Sequence, residues 1–430
     1  MSTSLANCRI LLSKELGDFW ASTTTSAGAS TYDTLVDTAL KAKPPDWITD
    51  NTFTLITKAS DSSEDDERKV KTLDDGTGAL ATLPHTAQIG SSITYELHRL
   101  FTASDKRLAI IHAAQTSFPD LFERVLDESK VSGNWLKDGS FEIWTSDTAL
   151  THWTDDGTVI LTKTSASPYV KHGKYSCKLG TAAGYIHQDI TNWDDLKYLA
   201  GKTVTFTLQG HCDKASCLRL AIYDGTTTTY SSYHDGDSAQ TDDPLEVTAT
   251  IADNPTDIEF RVYQAVAAGT SYIDDGRVMS GHLKRIYIGD LNLAQNKPHQ
   301  IFIEPSDYSN SPNWILINDN VEYDQTNGYL YLNVRNDYRL RIVGIKYLDF
   351  VDSSGDSSTA WDSTIALDSP QIEILVAKAI IYLCHQMVTP DFSSATSEKW
   401  ERALAYWDNE LRSRIARFGM YPPPATLRWR

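Results

Sequence analysis

The stretch Gln371-Ile372-Glu373-Ile374-Leu375-Val376-Ala377-Lys378-Ala379-Ile380-Ile381-Tyr382-Leu383 is apolar on most sides of a helix, so it predicts a helix buried between other elements. Ser369-Pro370 before it is a start signal, because proline fits the first helical position, where no backbone donor is needed. After the Thr389-Pro390-Asp391 break a second helix is expected from near Ser397, with Ala403, Leu404, Trp407, Leu411 and Ile415 on one face. Gly419 can stop it, and Tyr421-Pro422-Pro423-Pro424 forces a polyproline-like path into Leu427-Arg428-Trp429-Arg430. No acidic residue follows Glu410, whereas Arg412, Arg414, Arg417, Arg428 and Arg430 all do. A stiff, basic, aromatic arm is costly to leave in water, and the expectation is that it lies in a groove on another chain.

Bulk composition narrows the field. The chain has 430 residues, 41% of them hydrophobic, which favours two domains over one very large core. No apolar run reaches membrane-spanning length and Met1 to Trp20 lacks the layout of a secretion signal, so no membrane partner is expected. With 57 acidic against 39 basic residues, a formal charge of -18, the surface as a whole does not suit nucleic acid. Cys8, Cys177, Cys212, Cys217 and Cys384 are scattered and odd in number, which argues against a disulfide framework and for folding in reducing cytoplasm. His211, Cys212 and Cys217 lack a second cluster at zinc spacing, so buried, inert thiols are expected.

From the N-terminus, Leu5, Leu12, Leu16 and Phe19 mark a helix, and Thr23 to Ser30 reads as a loop. Leu35-Val36, Phe53 to Ile56, Arg68 to Lys71, Ala79 to Leu83 and Tyr95 to His98 have strand composition, with a turn at Asp74-Asp75-Gly76-Thr77-Gly78. They predict a small antiparallel sheet or barrel. Ser104 to Arg107 is expected to cap a helix running from Leu108 to Ser117. The acidic run Asp61 to Glu67 reads as a solvated hairpin tip rather than a cation site, since like charges repel unless an ion holds them.

Helical signals vanish from Ser132-Gly133-Asn134 until Ser369. As far as about Gly281, short strands rich in Thr, Tyr, Val and Ile alternate with turns such as Asp156-Gly157, Asp224-Gly225 and Asp235-Gly236, the spacing of a β-sandwich. Beyond it, Leu283 to Ile288, Gln300 to Ile303, Trp314 to Ile317, Tyr329 to Val334 and Leu340 to Ile345 are strands again. The economical reading is a host domain, residues 1–131 and 282–418, interrupted by a guest, 132–281, and followed by an arm, 419–430. A compact guest is tolerated at a loop tip because its own ends lie close together.

Asn134-Trp135-Leu136-Lys137-Asp138-Gly139-Ser140-Phe141-Glu142, Gly173 to Leu179, Ile186 to Ile190, Leu199 to Phe206 and Tyr272-Ile273-Asp274-Asp275 resemble a jelly roll of the carbohydrate-binding-module type. The resemblance implies a structural calcium held by the Gly139 carbonyl, Glu142 and Asp274, hard oxygen donors that would tie first strand to last. Gly276 stands where that pattern has an apolar residue. Sugar binding needs exposed aromatic faces to stack on pyranose rings, and Trp193, Tyr223, Tyr230, Tyr233 and Tyr263 are the candidates, whereas Trp144 and Trp153 fit the core.

The host segments, with an N-terminal helix, a Thr/Ser/Gly loop, Gly76-Thr77-Gly78-Ala79-Leu80, Tyr95 to Phe101 running into Ser104 to Ala114, and paired helices with a basic tail, resemble head-to-tail adaptor proteins of tailed bacteriophages. The resemblance implies a dodecameric ring, assembled in the bacterial cytoplasm and residing in the virion neck, with portal and tail proteins as partners. Its portal-docking surface would comprise Arg412, Arg414, Arg417, Phe418, Tyr421, Pro422, Pro423, Pro424, Leu427, Arg428, Trp429 and Arg430. The fold class that follows is α+β, a helical adaptor domain with a small antiparallel β subdomain, interrupted by an all-β jelly-roll sandwich.

A catalytic role has no motif behind it: Gly-x-Ser-x-Gly, a phosphate loop and His-Glu-x-x-His are all absent. The expectation is a structural, non-enzymatic ring subunit. The alternatives are a glycan-binding attachment protein and a glycoside hydrolase, which would need two carboxylates facing each other across a cleft.

Overall fold

The computed structural model describes the chain except for residues 1, 60, 181, 237–243, 266–268, 281–284, 305–313, 318–320, 333–337, 389–394, 424–427 and 430; at 45, 194, 296, 395–397 and 428–429 it describes the backbone alone. Its α-helices are α1 (Leu5–Glu15), α2 (Ala103–Thr116), α3 (Trp193–Leu199), α4 (Ile372–Val388) and α5 (Ala395–Phe418). Two units divide the chain, Met1–Glu123 with Tyr347–Tyr421, and Arg124–Lys346 with Pro422–Arg430. Among the described residues no helix is long and apolar enough to cross a membrane.

In the first unit α4 buries Ile372, Ile374, Leu375, Val376, Ala377, Ala379, Ile380 and Leu383, because it is packed by α1, α2 and α5 at once. Helix α2 starts earlier than its apolar pattern suggests. Thr102 is its cap: the Thr102 hydroxyl accepts from the Asp105 amide while the Asp105 carboxylate accepts from the Thr102 amide. Glu67 accepts from the amides of Ala103 and Ser104, so the acidic run is not simply a solvated tip. Asp66, within the same run, is buried against Arg68 at 2.6 Å and His85 at 3.1 Å.

Six strands form the sheet of this unit, in the order Trp20–Thr23, Thr94–His98, Phe53–Ile56, Glu67–Asp74, Ala79–Thr82, Thr34–Val36. Leu55 joins the core shared with the helices and Ile56 joins a second core with Leu35, Val70, Leu80 and Tyr95, so successive residues of one strand serve opposite sides. A buried polar network ties α1, the sheet and α2 together. Arg9 forks onto Glu96 through two bonds of 2.9 Å, and Lys106 Nζ donates to Ser13 Oγ, Asp18 Oδ2 and His98 Nδ1.

The second unit contains a sandwich and a smaller pair of sheets. The sandwich sheets run Thr154–Asp155, Gly184–Ile190, Ile258–Gln264, Leu218–Tyr223, Thr228–Tyr230, and Leu161–Thr164, Ser176–Leu179, Ser271–Met279, Thr203–Cys212, Leu245–Thr250. Phe141, Trp144, Trp153, Leu179, Val204, Phe206, Phe260 and Ile273 fill the space between them. All five cysteines are free and buried. The smaller pair has the orders Arg285–Tyr287, Tyr329–Leu332, Val321–Asp324, Arg428–Trp429, and Ile315–Leu316, Gln300–Glu304, Arg339–Lys346, Glu123–Asp127.

The expected fold class, with a helical domain as host and only a minor β subdomain, is overturned: the molecule is mostly β. Outside the sandwich domain the described strands build one six-stranded, two four-stranded and one two-stranded sheet, and α1, α2, α4 and α5 form the helical part of one unit. The cause is physical. Many of these strands have five residues or fewer and pair with partners far away in sequence, as Thr3–Ser4 does with Thr364–Ile365, so no local hairpin pattern announces them. Helical periodicity over a segment such as α4 is the louder signal. A short helix, α3, also lies within the segment where no helical signal was read.

Candidate functional site

Three sandwich strands, Gly184–Ile190, Leu218–Tyr223 and Ile258–Gln264, send Ile186, Leu218, Leu220, Ile222, Phe260 and Val262 into the core. A period of two then turns Tyr185, His187, Asp189, Arg219, Tyr223, Glu259, Arg261 and Tyr263 to the opposite face. Register sets them in rows. Tyr263 stands opposite Tyr185 on one side and Arg219 on the other; Arg261 lies between His187 and Ala221, and Ala221 faces Tyr230; Glu259 lies between Asp189 and Tyr223.

The rings and guanidinium groups interleave on this face. Tyr263 lies 4.9 Å from Tyr185 and 5.7 Å from Tyr230, centroid to centroid. The Arg219 guanidinium carbon is 4.0 Å from the ring centroid of Tyr230, 4.9 Å from that of Tyr233 and 5.3 Å from that of Tyr263. Arg261 stands 4.7 Å over Tyr223 and 5.1 Å over Tyr185.

The two arginines differ in their partners. Arg261 Nε donates to Glu259 Oε2 at 2.6 Å and Nη1 to Tyr263 Oη at 3.3 Å. Burial lowers its pKa, but Glu259 and Tyr263 outweigh that and leave it raised. Burial pushes the Tyr263 hydroxyl up against the pull of Arg261, so it remains a neutral hydrogen-bonding group. Arg219 has no carboxylate partner among the described residues, and its buried Nε makes no hydrogen bond. His187 Nδ1 is also buried and has no hydrogen-bond partner among the described residues. Flat rings with polar edges, planar cations and spare donors are the groups that hold a polyhydroxylated ring by stacking and hydrogen bonding.

Of the five aromatic residues named from sequence, Tyr223, Tyr230, Tyr233 and Tyr263 are brought together here. Trp193 is not: it opens α3 and is 59% exposed, with no ring contact to the four tyrosines. Sequence reasoning missed Tyr185, His187, Arg219 and Arg261. The alternation in Leu218-Arg219-Leu220-Ala221-Ile222-Tyr223 already carried the signal, placing Arg219 and Tyr223 on one side.

A cavity of about 380 Å³ lies at the end of strand Gly184–Ile190, with Trp135, Gln188, Asp189, Asp195, Tyr287 and Tyr329 among its walls. The Lys137 amide donates to Gln188 Oε1 at 3.1 Å, which fixes the Gln188 amide and leaves its Nε2 unpartnered. Asp189 belongs both to this wall and to the tyrosine face.

Two of the three residues implied for calcium, Glu142 and Asp274, meet at one loop, and the third, Gly139, lies against Gly276. Glu142 accepts from the amides of Lys174 and Tyr175 at 2.8 and 2.7 Å, and Asp274 accepts from those of Lys171 and His172. Burial pushes Glu142 up to about 7 and Asp274 up to about 8 against these bonds. The Gly139 carbonyl accepts from the Gly276 amide at 2.6 Å. A Cβ on Gly139 would sit 2.0 Å from the Gly276 carbonyl oxygen, so the two backbones touch, and Gly276 is packed by Leu136 and Leu208. Among the described residues no three His, Cys, Asp or Glu side chains form a metal cluster.

The basic tail is distributed differently from an extended arm. Arg414 is buried, donating to Glu410 at 3.0 Å, to the Glu373 carbonyl at 3.0 Å and to Glu15 at 3.3 Å. Arg417 donates to Ser413, Phe418 packs against the helical core, Arg412 is exposed and Tyr421 is 81% exposed. Pro422 is exposed and Pro423 half-buried, while Pro424, Leu427 and Arg430 lie outside the described residues. Arg428–Trp429 pairs in parallel with Glu322 and Tyr323 of the same chain.

No protein-family model matches the chain, and neither does any curated protein. Solved structures similar to part of it include TmCBM61 in complex with β-1,4-galactotriose, at 19% identity over 34% of this chain and 98% of that chain, with a TM-score of 0.27. The CBM22-1 xylan-binding domain from Paenibacillus barcinonensis Xyn10C is similar at 14% identity over 33% of this chain and 90% of that chain, with a TM-score of 0.26. The enzymatically active domain of bacteriophage CBA120 tailspike protein 4 is similar at 12% identity and a TM-score of 0.27, over 34% of this chain and only 21% of that one.

Proposed function

We propose that this protein binds a glycan on the tyrosine and arginine face of its sandwich and serves as an attachment or recognition component. The observation that carries the reading is the convergence of Tyr185, Tyr223, Tyr230 and Tyr263 with Arg219 and Arg261 on the non-core side of one sheet. A face that served only to cover a core has no need of stacked guanidinium groups and spare donors. Tyr230 and Tyr233, 44% and 45% exposed, offer ring area for a sugar.

The portal-docking role has less to stand on, because Arg414 is engaged with Glu15 and Glu410 and Arg428–Trp429 pairs within its own chain. Calcium at Glu142 and Asp274 is a separate proposal, supported by two carboxylates beside the loop 171–175, Asp274 buried and Glu142 half-buried, that accept only from backbone amides in their hydrogen bonds. There a hard cation would neutralise charge that burial makes costly, and so tie the domain's first segment to its last strand.

The test is a glycan array probed with the full chain and with Tyr230→Ala, paired with a reducing-sugar assay on the polymers that bind. Binding that the variant loses, without release of reducing ends, is the expected result. Release of reducing ends would move the protein to the hydrolases, and an array silent for the full chain would remove the reading.

A further inference from the structure

We infer that the glycan bound on this face is acidic, and that Arg219 receives its carboxylate; this rests on the glycan-binding reading above. The face carries two guanidinium groups in unlike states. Arg261 is neutralised by Glu259 at 2.6 Å, both side chains being largely buried. Arg219 sits among the rings of Tyr230, Tyr233 and Tyr263 and makes no salt bridge among the described residues, in a chain whose formal charge is -18.

With acidic residues in such excess, a carboxylate would be the easiest partner for evolution to place beside a half-buried arginine. Instead the cross-strand neighbours of Arg219 are Tyr263 and, one strand beyond, Tyr185. Ring quadrupoles hold the cation in place without neutralising it, so the guanidinium charge is kept for an anion. A planar fork matches a carboxylate through two parallel hydrogen bonds, and the flanking tyrosines match the sugar ring that bears it. A uronic acid combines those features in one residue. A neutral hexose would use the rings and leave the cation idle.

The experiment compares an acidic polysaccharide with the same backbone after its carboxylates are reduced to primary alcohols. The probes are oligosaccharides of polygalacturonate, alginate and hyaluronate and their carboxyl-reduced forms, titrated calorimetrically into the full chain. The expected result is that at least one acidic probe binds about tenfold or more tightly than its reduced form, the scale of one charge-assisted fork. Arg219→Gln should abolish that preference, so that the acidic probe and its reduced form bind the variant equally, and Arg219→Lys should retain part of it. Equal affinity for the two forms, or a preference that survives Arg219→Gln, overturns the acidic ligand but leaves a glycan-binding face standing. Absence of binding to these probes and to the neutral glycans of the array overturns both.

Discussion

Lys106 Nζ lies 2.7 Å from Asp18 Oδ2, and neither side chain has any exposed surface. Burial lowers the Lys106 pKa and Asp18 opposes that shift, while the same aspartate accepts from the amides of Arg99 and Leu100. The pair therefore joins α2 to the end of the strand Thr94–His98. Lys106→Met removes one partner and leaves a buried anion, which costs about 3–5 kcal/mol in comparable sites. The expected outcome is early loss of hydrogen-exchange protection in α1 and α2 with the sandwich amides unaffected. Unchanged protection would mean that water or another cation compensates Asp18.

Tyr230→Ala and Tyr263→Ala separate binding from folding. Each removes a ring that faces away from the sandwich core, so the thermal transition should move little for the exposed Tyr230 and more for half-buried Tyr263. Glycan affinity should fall for both, by about 1–3 kcal/mol, if each ring stacks on a sugar. Trp193→Ala, on α3, should leave affinity unaltered. A loss with Trp193→Ala alone would move the site to the neighbourhood of the cavity.

How far the sequence could be read depends on the range of the interaction. Strand composition and turn spacing are local signals, and they mark the sandwich segment, in which Tyr223, Tyr230, Tyr233 and Tyr263 stand as candidate stacking rings. Arg219 becomes distinctive only when Tyr263 and Tyr230 are known to flank it, and that follows from pairing between residues 219 and 263, far apart in the chain. The weight of β structure outside the sandwich was hidden for the same reason: strand Arg339–Lys346 pairs with Gln300–Glu304 across a long intervening segment. The α2 start lies at Thr102 rather than at Ser104, beside the first apolar turn, because Asp105 and the distant Glu67 together stabilise the earlier cap.

Three acids of the sandwich domain, Asp138, Glu142 and Asp274, give it a signed pH response. Burial raises Asp138 to about 6, Glu142 to about 7 and Asp274 to about 8, all above their ordinary values. Groups raised on folding stabilise fully below the unfolded pKa, about 4, and lose that contribution as pH rises through the folded values. With a chelator present, the melting temperature of the sandwich should fall by a few degrees or more between about pH 5 and about pH 9. Calcium at about 1 mM should restore it at the alkaline end, where the carboxylates are charged. Glu142→Gln should flatten the slope and weaken the calcium effect. A pH-independent transition indifferent to calcium would remove both the buried-acid account and the metal.

Ending the chain at Tyr421 tests what the tail does. Parallel pairing of Arg428–Trp429 with Glu322 and Tyr323 covers one side of the strand Val321–Asp324, whose other side is taken by Tyr329–Leu332. Without the tail that strand becomes an edge with free amides. A ladder of two residue pairs is worth about 1–3 kcal/mol, so exchange at the amides of residues 321–324 should accelerate accordingly while α4 and α5 keep their protection. The mass of the particle in solution should not decrease. If protection at 321–324 is unchanged and an assembly instead falls apart, the tail is an intermolecular arm, and the intrachain pairing describes only the isolated subunit.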